Sequence, residues 1–389
     1  MTLKTKIDAL LGAACAAGDV PGVVAMVTKR DGEIYQGAFG RRVKGGDAAM
    51  SVDTVMWIAS MTKAITAAGA MQLVEQGRLD LDAPATTMVP DIGGAQVLEG
   101  FDAAGQPRTR PPKRPVTLRH LLTHSAGFGY EIWNPDIQKY QAALGLPGVS
   151  EGNNDALKTP LLFDPGEKWN YGISIDWAGK MVEAVSGQKL GAYLAQNLFA
   201  PLGMTSTAFR ISPDMRARLA KIHQRGDDGA LTPLDRETPQ EPEFEAGGGG
   251  LYSIAGDYLR FVRMILNGGK AGGEQVLKPE TVDLMSRNNM GENRVGLLKT
   301  AIPPLSNDAE FFPGIEKSWG LSFQINEQKA PTGRPAGGLM WAGLANSYYW
   351  IDPVNGIGGV YLTQILPFAD RKSLPLYYAF ENAVYEALA

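Results

Sequence analysis

The chain has 389 residues, of which 44% are apolar and 20% are charged, and its formal net charge is −4. This length and apolar content can bury a large core and favour two structural domains, or one domain with a large insertion. Lysine and arginine form no long run or stripe, so the sequence predicts no nucleic-acid partner. No apolar run reaches the roughly 18 residues that span a bilayer, so no membrane partner is predicted.

The N-terminus is rich in alanine and must be distinguished from an export signal. Ile7, Leu10, Leu11 and Ala14 fall at helical spacing, and Asp8 interrupts the apolar stretch. This pattern favours an amphipathic first helix over a signal peptide. We therefore expect a cytoplasmic protein.

Short β-type runs lie towards both ends of the chain, and helical periodicity dominates between them. The predicted strands are residues 22–28, 33–39, 337–343, 347–352 and 358–364. The predicted helices after the first are residues 61–76, 118–122, 174–185, 190–199, 254–266 and about 375–388. Because strands at both ends flank a helical middle, we expect one antiparallel sheet built from the two ends, with the helical portion inserted beside it. The fold class is α+β.

Ser60 and Lys63 stand at the start of the predicted helix 61–76. Residues three apart share one face of a helix, with Cβ atoms roughly 5–6 Å apart. Free backbone N–H groups and the helix dipole favour negative charge at this first turn. A serine hydroxyl beside a lysine amine can therefore become a nucleophile without a histidine. The alternative is an N-cap serine followed by a solvated surface lysine.

Two other motifs offer different chemistry. Residues 148–152 match the Gly-x-Ser-x-Gly elbow of Ser-His-Asp hydrolases, but no predicted strand leads in and no helix leads out, so we interpret them as a loop. His120 and His124 have metal-ligand spacing, but no glutamate stands between them and cysteine ligands are lacking. We interpret both as structural histidines, and we predict no metal site.

Tyr171 is a candidate for the second proton-transferring group. It follows a Pro-Gly turn at residues 165–166 and precedes a predicted helix, so its phenol can project from a loop. Beside a lysine ammonium, a tyrosinate should form more easily than the usual pKa near 10 suggests. The alternative is a tyrosine packed at a helix start.

The order of these motifs carries a family resemblance. Ser60–Lys63, residues 120–127, Pro165-Gly166 leading into Tyr171, and the stretch 247–258 resemble the serine β-lactamase and penicillin-binding-protein superfamily. The closest branch is the class C β-lactamase-like carboxylesterases of family VIII. This resemblance implies a β-lactamase-like fold. We expect a sheet domain at residues 1–59 and 205–389, a mainly helical domain at 60–204, and an active site between them.

Two departures from the β-lactamase pattern bear on the substrate. Residues 171–173 read Tyr-Gly-Ile where a class C enzyme has Tyr-x-Asn, and residues 341–343 read Trp-Ala-Gly where it has Lys-Thr-Gly. Both changes replace polar recognition by apolar surface, which suits an uncharged ester. We expect Trp341 to line the substrate pocket, although a core aromatic is the alternative. We expect Gly343 to let the substrate approach the strand.

The resemblance further implies a mechanism. Ser60 would attack the carbonyl, Lys63 and Tyr171 would share the role of general base, and the N–H groups of Ser60 and Leu344 would hold the oxyanion. No cofactor is required. We predict a serine carboxylesterase that hydrolyses small or medium uncharged carboxylic esters through an acyl-enzyme on Ser60. The alternatives are a β-lactamase or D-aminopeptidase-type amide hydrolase, an acyltransferase of the same fold, and an acylated binding or sensor protein.

Overall fold

A computed structural model describes residues 2–388 of the chain. The helices within these residues are α1 (Leu3–Ala16), α2 (Thr62–Glu75), α3 (Leu118–Leu122), α4 (Pro135–Leu144), α5 (Ser174–Ser186), α6 (Leu190–Leu194), α7 (Ala200–Leu202), α8 (Pro213–Ala217), α9 (Ala255–Leu266), α10 (Pro279–Met285) and α11 (Ser373–Leu388). In residues 2–388 no helix combines the length and the apolar character needed to cross a membrane.

The strands in the same part of the chain are mostly short. They are β1 (Gly22–Lys29), β2 (Glu33–Gly40), β3 (Met56–Trp57), β4 (Val97–Phe101), β5 (Pro107–Arg110), β6 (His223–Arg225), β7 (Leu231–Pro233), β8 (Tyr252–Ser253), β9 (Lys270–Ala271), β10 (Glu274–Gln275), β11 (Lys317–Trp319), β12 (Gln324–Asn326), β13 (Gly338–Gly343), β14 (Ser347–Asp352), β15 (Ile357–Leu362) and β16 (Ile365–Leu366). The longest of them belong to one sheet.

Both ends of the chain contribute to this sheet, which has seven strands within residues 2–388 in the order β11-β12-β13-β14-β15-β1-β2. Neighbouring strands run antiparallel throughout. The N-terminal strand β1 pairs with the C-terminal strand β15, so that Val24 lies opposite Leu362. The predicted α+β fold, with one antiparallel sheet formed by the two ends of the chain, is therefore confirmed.

Helices cover both faces of the sheet. Successive side chains of a strand point to opposite faces, and β14 illustrates this. Tyr348 packs against Tyr377 of α11, with ring centroids 4.6 Å apart, whereas its neighbour Tyr349 packs against Tyr258 of α9 at 5.0 Å. Every residue of β13, β14 and β15 is buried as a result.

Helix α2 lies inside the protein rather than on its surface. It packs against α5 and α6, and all its residues from Thr62 to Leu73 are buried. Lys63 is 0% exposed. The alternative of a solvated surface lysine at this position is therefore wrong, because the Lys63 side chain has no exposed surface.

Two elements differ from the sequence-based expectation. No strand was predicted between residues 39 and 337, but residues 107–110 form β5, which pairs with β4 in a hairpin. Helix α4 was not predicted. It begins at Pro135 and ends at Leu144, and the next residue, Gly145, adopts the left-handed conformation (φ 67°). Proline at the start and glycine just past the end are ordinary helix-boundary signals.

Candidate active site

Ser60 lies in a tight 3-10 turn, Ala59–Met61, between β3 and α2. Ala59 has a positive φ of 44°, a conformation that costs energy for a residue with a Cβ and recurs at functional sites. Neighbouring segments hold the turn in place. The Ile58 N–H donates to the Leu251 carbonyl at 3.0 Å, and the Leu251 N–H donates to Thr62 Oγ1 at 3.1 Å.

Lys63 makes three hydrogen bonds from its Nζ. The acceptors are Ser60 Oγ at 3.1 Å, Tyr130 OH at 3.0 Å and the Gly248 carbonyl at 2.6 Å. Burial lowers the pKa of Lys63 to about 7, although the charge of Asp176 opposes this shift. A neutral amine has two N–H donors and one lone pair, so it can donate to two of these partners and accept the Ser60 proton. Lys63 can thus serve as a base near neutral pH.

Asp176 and Tyr130 complete a buried polar group around Lys63. Asp176 Oδ1 accepts a hydrogen bond from the Gly248 N–H at 2.8 Å, and burial raises the pKa of this carboxyl, while Lys63 lowers it. Burial also raises the pKa of Tyr130 well above its usual value. Sequence reasoning missed both roles. A carboxylate between Ile175 and Trp177 in an otherwise apolar helix start was the available signal for Asp176.

Tyr171 contacts both Lys63 and Trp341. Lys63 Nζ is 4.7 Å from the centre of the Tyr171 ring. The Trp341 indole N–H donates to Tyr171 OH at 2.9 Å. Burial raises the pKa of Tyr171, and contacts with Ser60 and Trp341 only partly oppose the rise. The expectation of an easily formed tyrosinate is therefore wrong, because burial penalises the phenolate and the negative charge of Asp176 adds to the rise in pKa.

Trp341 and Gly343 have positions that differ from the sequence-based expectation. Trp341 is 2% exposed and packs edge-on against Trp319, with ring centroids 4.6 Å apart; it lies behind Tyr171 rather than in the wall of the cavity beside Ser60. At position 343 a Cβ would lie 3.1 Å from the carbonyl carbon of Ile58 and closer still to its oxygen. Glycine there lets the Ser60 turn, rather than the substrate, approach β13.

His120 and His124 have different structural surroundings. His120 takes part in the N-terminal cap of α3 through Thr117. His124 is buried, with its ring centroid 4.7 Å from that of Tyr171, and burial lowers its pKa well below the usual value, so it is neutral. Residues 149–151 form a 3-10 turn, and the strand and helix of a nucleophile elbow do not flank it within the described residues.

A cavity with largely apolar walls opens beside Ser60. Its walls include Trp57, Ile132, Trp133, Phe209, Phe244 and Leu344. Leu344 and Ser60 line the same cavity, so both residues predicted to supply oxyanion donors lie around one space. Gly248, Gly249 and Gly250 line it as well. A Cβ at position 248 would approach Asp176 Oδ2 at 2.6 Å and Tyr130 OH at 2.8 Å, which explains a glycine at this wall.

Comparisons with known proteins agree with this architecture. A model of the beta-lactamase family matches residues 7–383. The chain is 34% identical to monacolin J acid methylbutanoyltransferase from Aspergillus terreus over 94% of its own length and 92% of that protein. It is 31% identical to lovastatin esterase from Penicillium rubens, over 97% and 98%. A simvastatin synthase mutant from Aspergillus terreus has a similar structure, with a TM-score of 0.85, 32% identity and coverage of 98% and 96%.

The fold and these matches define an enzyme of the serine hydrolase and acyltransferase superfamily. The chain belongs to the beta-lactamase family. The resemblance to serine β-lactamases and penicillin-binding proteins predicted from the motifs is confirmed.

Proposed function

We propose that the protein hydrolyses uncharged carboxylic esters through an acyl-enzyme on Ser60. One observation carries this proposal: Ser60 lies beside an apolar cavity, and its hydroxyl is 3.1 Å from the amine of a lysine that is fully buried. Burial disfavours the ammonium form and so provides a base next to the nucleophile. The apolar walls favour an ester group and a hydrocarbon substituent over a charged substrate near the reacting bond.

The positions of the groups suggest separate roles for Lys63 and Tyr171. Lys63 accepts the proton as Ser60 Oγ attacks the carbonyl carbon, and the oxyanion forms between the N–H groups of Ser60 and Leu344. Tyr171 has a raised pKa and therefore carries its proton at neutral pH. It donates that proton to the leaving alcohol oxygen. In the second half-reaction water attacks the acyl-enzyme and the same groups act in reverse.

Two positions favour esters over β-lactams or peptides. Ile173 is 1% exposed and has no polar side-chain group with which to bind a substrate amide. Trp341 holds Tyr171 and provides no ammonium for a carboxylate. An amide hydrolase of this family would need such polar partners near the reacting carbonyl.

Acyl transfer to an alcohol is the second candidate function. It is favoured by the relative named as a methylbutanoyltransferase, which aligns with 94% of the chain, whereas the relative named as an esterase aligns at similar identity. Both reactions share the acyl-enzyme and differ only in the acceptor. Because the cavity walls are largely apolar, an organic alcohol can bind there and compete with water as the acceptor of the acyl group.

A panel of p-nitrophenyl esters, from acetate to longer acyl chains, tests the proposal with nitrocefin as the β-lactam comparison. Ser60→Ala should lower ester turnover by at least ~10³-fold, as expected for loss of a nucleophile. Ser150→Ala is the matched control, because Ser150 belongs to the Gly-x-Ser-x-Gly match and lines the same cavity; it should retain most of the activity. Wild-type rates in Ser60→Ala, or nitrocefin turnover above ester turnover, would overturn the proposal.

Two further measurements separate the alternatives. Adding an alcohol and analysing products for the new ester detects acyl transfer. Intact-mass spectrometry during turnover detects the acyl-enzyme. An adduct that persists without product release would instead support a binding or sensor protein.

A further inference from the structure

The cavity beside Ser60 has one cationic group in its wall. Among the described residues that line the cavity, Arg236 is the one lysine or arginine. It lies in the segment after β7 and is half-buried. It also lines a second cleft, which shares Trp57, Ser150 and Thr238 with the cavity beside Ser60.

Within residues 2–388 the Arg236 guanidinium makes no hydrogen bond or ion pair, although carboxylates and polar groups lie nearby in sequence. Glu237 is engaged with Arg216 in an ion pair. Thr238 is engaged with the hydroxyl of Tyr252. Burial lowers the pKa of Arg236, and the acidic group that opposes the shift is the phenol of Tyr252 rather than a carboxylate.

Arg236 is only partly withdrawn from water, and its charge has no counter-charge within the described residues. A bound anion would therefore gain a direct electrostatic interaction there. An arginine is a planar cation that stays charged and matches the two oxygens of a carboxylate. An occupant that bears a carboxylate would satisfy it.

The acidic side chains of the same cavity do not fill this role in the described structure. Glu245 accepts a hydrogen bond from the Gly191 N–H at 2.6 Å. Asp176 lies beside Lys63 and bonds the Gly248 N–H. Burial raises the pKa of the third carboxyl, Glu131, and no ion pair joins it to Arg236 within the described residues.

We propose that Arg236 forms a subsite for a carboxylate that the substrate carries in addition to its reacting ester. This inference rests on the proposed function, and it adds a substrate class: esters in which the acyl or alcohol part ends in a free carboxylate. The reacting end lies in the apolar part of the cavity beside Ser60, and the charged end is bound by Arg236. The resulting specificity differs from that of a β-lactamase, in which the carboxylate is held at the sheet edge that Trp341 occupies here.

Mono-p-nitrophenyl esters of dicarboxylic acids, from succinic to suberic, test the subsite against the same esters with the free acid methylated. The measured quantity is the ratio of kcat/KM for the acid-ended ester to that for its methylated counterpart. The wild-type ratio should exceed one at one or more chain lengths. Arg236→Gln should lower the highest ratio about tenfold, as for loss of a charged hydrogen bond, and Arg236→Lys should restore part of it.

Arg210→Gln is the matched control, because Arg210 is an exposed arginine near Glu241 and does not line the cavity; its ratio should equal that of the wild type. A wild-type ratio below one at every length, or an unchanged ratio in Arg236→Gln, would overturn the subsite.

A binding measurement separates this result from failure of the proposed function. Monomethyl esters of the same dicarboxylic acids are titrated calorimetrically into Ser60→Ala, which requires no turnover. Binding should weaken about tenfold in the double variant with Arg236→Gln. Weaker binding in the double variant, together with a wild type that hydrolyses no ester, would support the carboxylate subsite and reject the esterase. Equal binding by Ser60→Ala and the double variant would reject the subsite.

Discussion

Substituting Gly343 by alanine tests whether β13 positions the nucleophile. Its Cβ would lie 3.1 Å from the Ile58 carbonyl carbon, closer still to the oxygen, and 3.4 Å from the Ala59 Cβ. Ordinary carbon–carbon contacts lie at about 3.5–4.0 Å. The closest of these atoms belong to the backbone of Ile58, two residues before Ser60, so the strand and the turn must separate.

The expected separation is on the order of 1 Å, because the contact with the Ile58 oxygen lies far inside the van der Waals distance. Overpacking of this kind costs about 1–3 kcal/mol of stability. A misplacement of about 1 Å in a reacting group can cost ~10²-fold in rate. We therefore expect Gly343→Ala to remain folded and to lose roughly 10²-fold in kcat, because Ser60 and its backbone N–H move together.

The assay is p-nitrophenyl butyrate hydrolysis, with thermal unfolding measured on the same samples. Gly296→Ala is the control, because Gly296 is exposed and a Cβ there would meet nothing within 4 Å; both its activity and its melting temperature should match the wild type. A folded Gly343→Ala protein with wild-type kcat would show that contact between β13 and the Ser60 turn does not position the nucleophile.

Three further predictions concern proton transfer. The kcat/KM for a p-nitrophenyl ester should rise with pH through about 7 and then level, because the lowered pKa of Lys63 makes its neutral form prevail above that value; a flat profile would remove Lys63 as the base. Asp176→Asn should move this rise to lower pH, because Asp176 is the charge that raises the Lys63 pKa; a shift to higher pH would contradict the assignment. Tyr171→Phe should impair turnover of ethyl esters at least ~10-fold more than turnover of p-nitrophenyl esters, because p-nitrophenolate leaves without a proton; equal losses on both would exclude Tyr171 as the acid.

Much of the fold could be predicted because strand and helix periodicities are local. The strand predicted at 347–352 and the helix predicted at 118–122 have the same bounds in the structure. The hairpin of β4 and β5 was missed, since its residues are only partly buried or exposed apart from Val97 and carry no apolar alternation. Helix α4 was missed although Pro135 and Gly145 marked its ends.

The candidate site was predictable only in part. The spacing of Ser60 and Lys63 follows from helix geometry, and in the structure Lys63 Nζ lies 3.1 Å from Ser60 Oγ. Tyr130 is 67 residues from Lys63 along the chain but shares a hydrogen bond with it. No local pattern links residues at that separation.

The amino-acid sequence by itself determined the order of motifs, the position of Ser60 and Lys63 at a helix start, and the pairing of the two chain ends in one sheet. Tertiary structure decided the proton chemistry. The burial of α2 lowers the pKa of Lys63, whereas the burial of Tyr171 raises its own pKa. Both shifts depend on how much water remains around a charge, and that depends on distant segments packing together rather than on neighbours along the chain.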